Sequence, residues 1–192
     1  MSPRPRSSAP GALLLTPGAG ADRDHHTLVA VADAVAPLPV ARIDFPYRRE
    51  GRRAPDRAPK AIACIREEAA ALVSEAGIAP DRLVLGGRSY GGRMCSLAVA
   101  EGLPAAGLVL LSYPLHPPGK PDQLRTEHFG SLELPCLFVS GDRDPFGSPE
   151  EFADAIAEIP GPVTQVWVSG GHDPRKQDEA IADAVRTWLA SL

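Results

Sequence analysis

Six short runs of almost unbroken apolar character limit what this chain can fold into. They read "ALLLT" (12–16), "VARIDF" (40–45), "RLVLGG" (82–87), "GLVLLS" (107–112), "PCLFVS" (135–140) and "VTQVWV" (163–168). Near-continuous apolar character is what strands buried on both faces of a parallel sheet require. The gaps between the runs have helical patterning. Over 58–76, Ile62, Ile65, Ala69, Leu72, Val73 and Ala76 share one face, and Gly77 can end the helix. A modest helix fits 26–35, and another starts just after Ser89 and runs to about Glu101. Ser148-Pro149-Glu150-Glu151 is a capping box with proline at the first helical position. Asp173-Pro174 reads as the start of the last helix, with Asp173 as its N-cap and Ile181, Val185, Trp188 and Leu192 facing inward. Strand and helix alternate throughout, which predicts an α/β fold of about six mainly parallel strands with helices on both faces. We expect residues 1–10 to be an N-terminal tail and 11–192 a single domain, since the length suits one sizeable core.

Composition narrows the function. Apolar residues make up 44% and charged residues 23%, as in ordinary globular proteins, and the net charge of −4 argues against a nucleic-acid partner. No apolar window reaches the length of a membrane span. The arginines ahead of "ALLL" faintly imitate a signal peptide, but that apolar run is too short and serves better as a strand. Cys64, Cys95 and Cys136 are odd in number and lack metal-ligand spacing, so a reduced cytoplasmic setting with no metal and no cofactor is expected. The sequence leaves the oligomeric state open.

The chemistry is expected around "GGRSYGG" (86–92). Gly87-Arg88-Ser89-Tyr90-Gly91 fits G-x-S-x-G at the junction of a strand and a helix, the context of a nucleophile elbow. That junction lies at the carboxyl edge of the sheet, where open α/β sheets bind ligands. A serine needs a base, and in this fold the acid and then the base follow in chain order. "FVSGDRDPFG" follows the fifth run and "WVSGGHDPRK" the sixth. We therefore read Ser89 as nucleophile, His172 as general base and Asp144 as the orienting acid. Asp142 competes with Asp144, but is more plausibly used by the turn itself. His25, His26, His116 and His128 lack the position of His172 after the last strand. Two backbone donors should form the oxyanion hole, the N–H of Tyr90 and that of Ala19 in "TPGAGAD". That loop lacks the glycine patterns of nucleotide binders.

With these residues in place, the chain resembles an α/β-hydrolase of the small lidless Tex30-like group. The resemblance covers nearly the whole length and rests on "PGAGAD" (17–22), "DFPYRREGRRAPDRAP" (44–59), "GGRSYGGRM" (86–94), "YPLHPPGKPDQLRTEH" (113–128) and "GDRDPFG" (141–147). It puts Ser89, Asp144 and His172 at the triad positions. The chain departs from the usual pattern at Tyr90 and at Pro17-Gly18, which stands where His-Gly is common. Some larger relatives resemble scaffold subunits of chromatin complexes.

Larger α/β-hydrolases carry a lid after the strand matching 107–112. Here the connection "YPLHPPGKPDQLRTEHFGSLEL" is too short for one. An open site is expected, rimmed by Gly18, Arg88, Tyr113, Leu115 and His116. Arg48, Arg49, Arg52, Arg53, Arg57 and Lys60 crowd the loop 46–60 beside Glu50 and Asp56. They form either a solvated surface or a collar for an anionic substrate. The reading is a serine hydrolase acting on a small acyl substrate through an acyl-enzyme. A non-catalytic binding or scaffold protein and an acyltransferase are the alternatives.

Overall fold

The computed structural model describes residues 9–192, and positions 1–8 of the expected tail lie outside the described residues. All six apolar runs join one sheet: β1 (Ala12–Thr16), β2 (Val40–Arg42), β3 (Leu83–Arg88), β4 (Gly107–Leu111), β5 (Cys136–Gly141) and β6 (Val163–Val168). Every pairing is parallel, in the order β2-β1-β3-β4-β5-β6. Helices α1 (His26–Ala34), α2 (Pro46–Arg49), α3 (Ala58–Ala76), α4 (Tyr90–Ala100), α5 (Pro149–Ile156) and α6 (Asp178–Leu189) cover the two faces.

The apolar runs follow from that covering. Successive strand residues point to opposite faces. Leu14, Leu85, Leu110 and Phe138 join the core beneath α3, α4 and α5, while their neighbours Leu13, Val84, Val109 and Leu137 join the core beneath α1 and α6. Neither parity is free to be polar. On the α3–α5 side Tyr113, Phe129 and Phe152 surround Phe138, with ring centroids 5.8, 6.0 and 5.9 Å away.

Boundaries differ from expectation by one residue at several strands and helices, and by more at two places. Strand β2 stops at Arg42 instead of residue 45, because β1 pairs it only over Leu13–Leu15 and Pro46 opens α2. Helix α6 begins at Asp178 with Gln177 as N-cap, not at Asp173-Pro174. Lys176, at φ 64°, interrupts the turn before it, and the Asp173 carboxylate faces Arg88 instead. The capping box is present: Ser148 Oγ accepts from Glu151 N at 3.3 Å and Glu151 Oε2 accepts from Ser148 N at 2.7 Å. Between β4 and β5 the chain forms one short 3₁₀ turn, Phe129–Ser131, whose Phe129 is buried in the core, and no lid. No helix among the described residues is long and apolar enough to cross a membrane.

His128 on this connection is buried, with Nε2 2.7 Å from Ser96 Oγ on α4 and Nδ1 without a partner among the described residues. Burial pulls its pKa down to about 4. An unfolded histidine titrates near 6.5. Above that pH the imidazole is neutral in both states and contributes nothing. As pH falls from about 6.5 to about 4 the unfolded chain takes the proton first, so stability falls, by up to roughly 3 kcal/mol. Denaturant unfolding at pH 7 and pH 4.5 should show a smaller acid loss for His128→Asn than for the wild type. Equal losses would remove His128 as the linked group.

Candidate active site

The sheet order reverses at β1: the chain passes to β2 on one side and to β3 on the other. Such a switch point leaves a crevice at the carboxyl ends of the strands. Ser89 stands there, between the end of β3 and the start of α4. Its backbone sits at φ 50°, ψ −116°. Positive φ in a residue other than glycine costs on the order of 1–3 kcal/mol and persists only where the surroundings impose it. Here Ser89 N donates to Leu111 O at 2.8 Å, and Ser89 O accepts from Arg93 N at 3.0 Å. Gly87 and Gly91 admit the loop after β1. A Cβ at Gly87 would strike Thr16 Oγ1, and one at Gly91 would lie 2.5 Å from Pro17 O and 2.7 Å from Thr16 O.

His172 Nε2 lies 2.8 Å from Ser89 Oγ, and His172 Nδ1 lies 2.8 Å from Asp144 Oδ2. The carboxylate on Nδ1 keeps the proton there and leaves the Nε2 lone pair facing the serine. The Asp144 side chain is fully enclosed and that of His172 is 20% exposed. A buried carboxylate must be hydrogen-bonded, and Asp144 Oδ1 also accepts from Phe146 N at 2.9 Å. The Phe146 ring stacks on the imidazole with centroids 4.0 Å apart. Asp142 is exposed and does something else: its Oδ1 accepts from Gly170 N at 2.8 Å, pinning the β6–α6 loop to the end of β5.

A cleft of about 360 Å³ opens over this relay, and Ala19, Tyr90, Pro114 and Phe146 are among the residues that line it. Tyr90 opens α4, so its N–H has no acceptor within the helix. Its side chain turns away, and the hydroxyl donates to Asp56 O at 2.6 Å. Gly18 is buried under the cleft, and a Cβ there would lie 3.6 Å from Ser89 Cβ. Arg88 lines the cleft, but its guanidinium is already engaged, donating to His172 O at 2.9 Å and to Asp173 Oδ1 at 3.0 Å.

Besides the buried Gly18, three expected rim residues are not at the rim. Tyr113 and Leu115 are wholly buried in the aromatic core, because the chain folds inward after β4. His116 is buried too, its Nε2 3.2 Å from Glu151 Oε2. Arg93 and Arg125 line the cleft instead. The arginine-rich loop is no collar. Arg48 pairs with Asp22, Arg49 with Glu68, Arg52 with Glu50 and Asp56, and Lys60 with Glu50 and Asp56. Arg53 and Arg57 are exposed, and the cleft is lined by none of these cations.

One cluster carries no signal in the sequence. His25, His26 and Asp173 each present a ligand atom, all within 4.8 Å of one another. Three such donors could hold a divalent cation, but the hydrogen bonds suit that poorly. His25 Nδ1 accepts from Thr27 N at 3.3 Å, which leaves the proton on Nε2, the atom facing Asp173 at 3.6 Å. Arg88 already neutralises Asp173. Burial, followed by the Arg88 charge, pulls His25 below the ordinary histidine value. The cluster reads as a polar network around Asp173, which Arg88 ion-pairs, and it ties α1 to the loop of His172.

The family described as Alpha/beta hydrolase domain matches residues 9–189. Among solved structures, dienelactone hydrolase from Anabaena variabilis is similar at 18% identity, covering 96% of this chain and 88% of that one, with a TM-score of 0.76. An α/β serine hydrolase homologue from Coxiella burnetii shows 18% identity, 97% and 88% coverage and a TM-score of 0.74. Est1E from Butyrivibrio proteoclasticus, solved with ferulic acid bound, shows 15% identity, 98% and 92% coverage and a TM-score of 0.72.

The contact of the β1 loop with the elbow should be sensitive to a single methyl group. Gly91→Ala should lower stability in denaturant unfolding by about 1–3 kcal/mol, the usual cost of overpacking. An unchanged midpoint would mean that the elbow has room that the geometry denies it.

Proposed function

This chain belongs to the α/β-hydrolase family, and from that premise we propose that it is a serine hydrolase cleaving an ester-like acyl bond. The reading is carried by one observation, the unbroken relay from Asp144 through His172 to Ser89 at 2.8 Å per step. Ser89 Oγ attacks the carbonyl carbon while His172 Nε2 takes its proton. Asp144 holds the imidazole tautomer and stabilises the imidazolium that results. The N–H groups of Ala19 and Tyr90, both at the cleft, receive the developing oxyanion. When the tetrahedral intermediate collapses, His172 returns the proton to the leaving alcohol and an acyl-Ser89 ester remains. Water then attacks the acyl carbon as His172 Nε2 takes one of its protons; collapse breaks the bond to Ser89 Oγ, His172 returns the proton to that oxygen, and the acid is released.

The substrate is a small acyl compound, in keeping with a 360 Å³ cleft and a β4–β5 connection without a lid. None of these steps calls on a cofactor. A reducing cytoplasmic setting belongs to the same reading, supported by three buried cysteines that remain free thiols.

A fluorophosphonate probe tests serine activation before any substrate is known. It should label the wild type and fail on Ser89→Ala and His172→Ala. An unlabelled, folded wild type would favour a non-catalytic binding role. The two aspartates separate in steady-state kinetics on a short-chain 4-nitrophenyl ester. Asp144→Asn should lose roughly 10⁴-fold in kcat. Asp142→Asn should retain most turnover, since its carboxylate serves Gly170 N. Reversed behaviour would assign the orienting role to Asp142.

A further inference from the structure

The cleft above Ser89 carries an excess of positive charge. Arg88, Arg93 and Arg125 line it, and among the described residues no aspartate or glutamate does. Arg88 is satisfied by Asp173 and His172 O. The other two are not satisfied to the same degree. Arg93 has Glu127 at 3.2 Å from one terminal nitrogen, and its buried Nε has no partner among the described residues. The Arg125 side chain makes no ion pair and donates no hydrogen bond among the described residues, although it is half-buried.

Arg125 is also held in place. Its N–H donates to Leu115 O at 2.7 Å and its carbonyl accepts from Tyr113 OH at 2.7 Å. Tyr113 and Leu115, both wholly buried, therefore fix this arginine at the cleft. Burial, and next the neighbouring Arg93 charge, pull the Arg125 pKa below the usual guanidinium range. Two arginines facing one cleft without full counter-charge are costly in the free protein, and a guanidinium stays protonated at any working pH. An anion entering the cleft removes that cost. The loop 46–60 is treated differently, since four of its six cations are paired with carboxylates.

We infer that Arg125, assisted by Arg93, forms an anion subsite beside Ser89, and that the substrate is an acyl ester that also carries an anionic group, a carboxylate or a phosphate. The planar guanidinium fork suits either oxyanion. The substrate class rests on the hydrolase reading, whereas the anion site stands without it.

The test compares half-esters of glutarate and adipate with neutral pentanoate and hexanoate esters, all as 4-nitrophenyl esters, with spontaneous hydrolysis subtracted. The wild type should favour the anionic member of each pair at least tenfold in kcat/KM, the scale of one charged hydrogen bond. Arg125→Gln should bring that ratio towards one, Arg125→Lys should keep part of it, and Arg53→Gln, on the outer loop, should leave it unchanged. A wild-type ratio at or below one, or an equal ratio in Arg125→Gln, overturns the proposal. Competition against neutral ester hydrolysis by glutarate and by inorganic phosphate identifies the anion: the one that inhibits wild type and loses its effect in Arg125→Gln is the class. If the wild type neither turns over the esters nor takes the fluorophosphonate, the hydrolase reading fails by itself. Calorimetry of glutarate and phosphate then decides the subsite: binding lost in Arg125→Gln supports it, and no binding overturns it. Should Arg125→Gln not fold, the wild-type ratio and the Arg93→Gln ratio decide in its place.

Discussion

The close approach of the β1 loop to the β3 elbow is the constraint on which the rest of the site depends. Thr16 pairs with Gly87 at the end of the β1–β3 register, and beyond that point both chains must turn. Neither turn has room for a side chain at Gly87 or Gly91, because Thr16 and Pro17 occupy the space. Ser89 is held at a positive φ by bonds from two neighbours, Leu111 on β4 and Arg93 on α4. Strain at this residue is therefore balanced by a sheet and a helix that would form regardless. The same approach brings Ala19 to the cleft that Tyr90 also lines, so the elbow positions a candidate nucleophile and both candidate oxyanion donors together.

Charge is arranged by a simple rule over much of the described surface. Four of the six cations on the arginine-rich loop have carboxylate partners, and exposed pairs of that kind contribute little to stability. Their effect is to flatten the local field. At the cleft the counter-charge is thinner: Arg125 forms no ion pair among the described residues and feels only one carboxylate, the exposed Glu127 that already pairs with Arg93. A positive cleft on a chain of net charge −4 is a local device, invisible in the overall balance.

The sheet was legible because burial on both faces leaves a strand no polar positions, as the paired cores around Leu13 and Leu14 show. Ser89, Asp144 and His172 could be brought together in advance because a parallel sheet gathers the carboxyl ends of its strands on one edge. Tyr113, Leu115 and His116 follow β4 on that same edge, yet they fold inward. Strand order gives where a loop begins, not which way its side chains turn. Arg125 reaches the cleft because its backbone N–H donates to Leu115 O and its carbonyl accepts from Tyr113 OH, and which backbone groups a loop residue will meet leaves no mark in sequence. Asp173 looked like a helix cap because Asp-Pro often is one; a buried arginine on a distant strand outcompeted the helix for its carboxylate.

That competition links the candidate nucleophile to its base. Arg88 is the last residue of β3, immediately before Ser89, and it is largely buried. A buried guanidinium needs counter-charge, and Asp173 is the carboxylate it meets. Asp173 follows His172 directly in the chain, and Arg88 also donates to His172 O. The need to neutralise one cation thus holds the β6–α6 loop against the end of β3. His25 and His26 approach the same carboxylate from the start of α1, so three segments meet on Asp173. Asp144 orients the imidazole ring, but Arg88 and Asp173 fix the backbone that carries it. The 2.8 Å separation between Ser89 Oγ and His172 Nε2 is set from both sides.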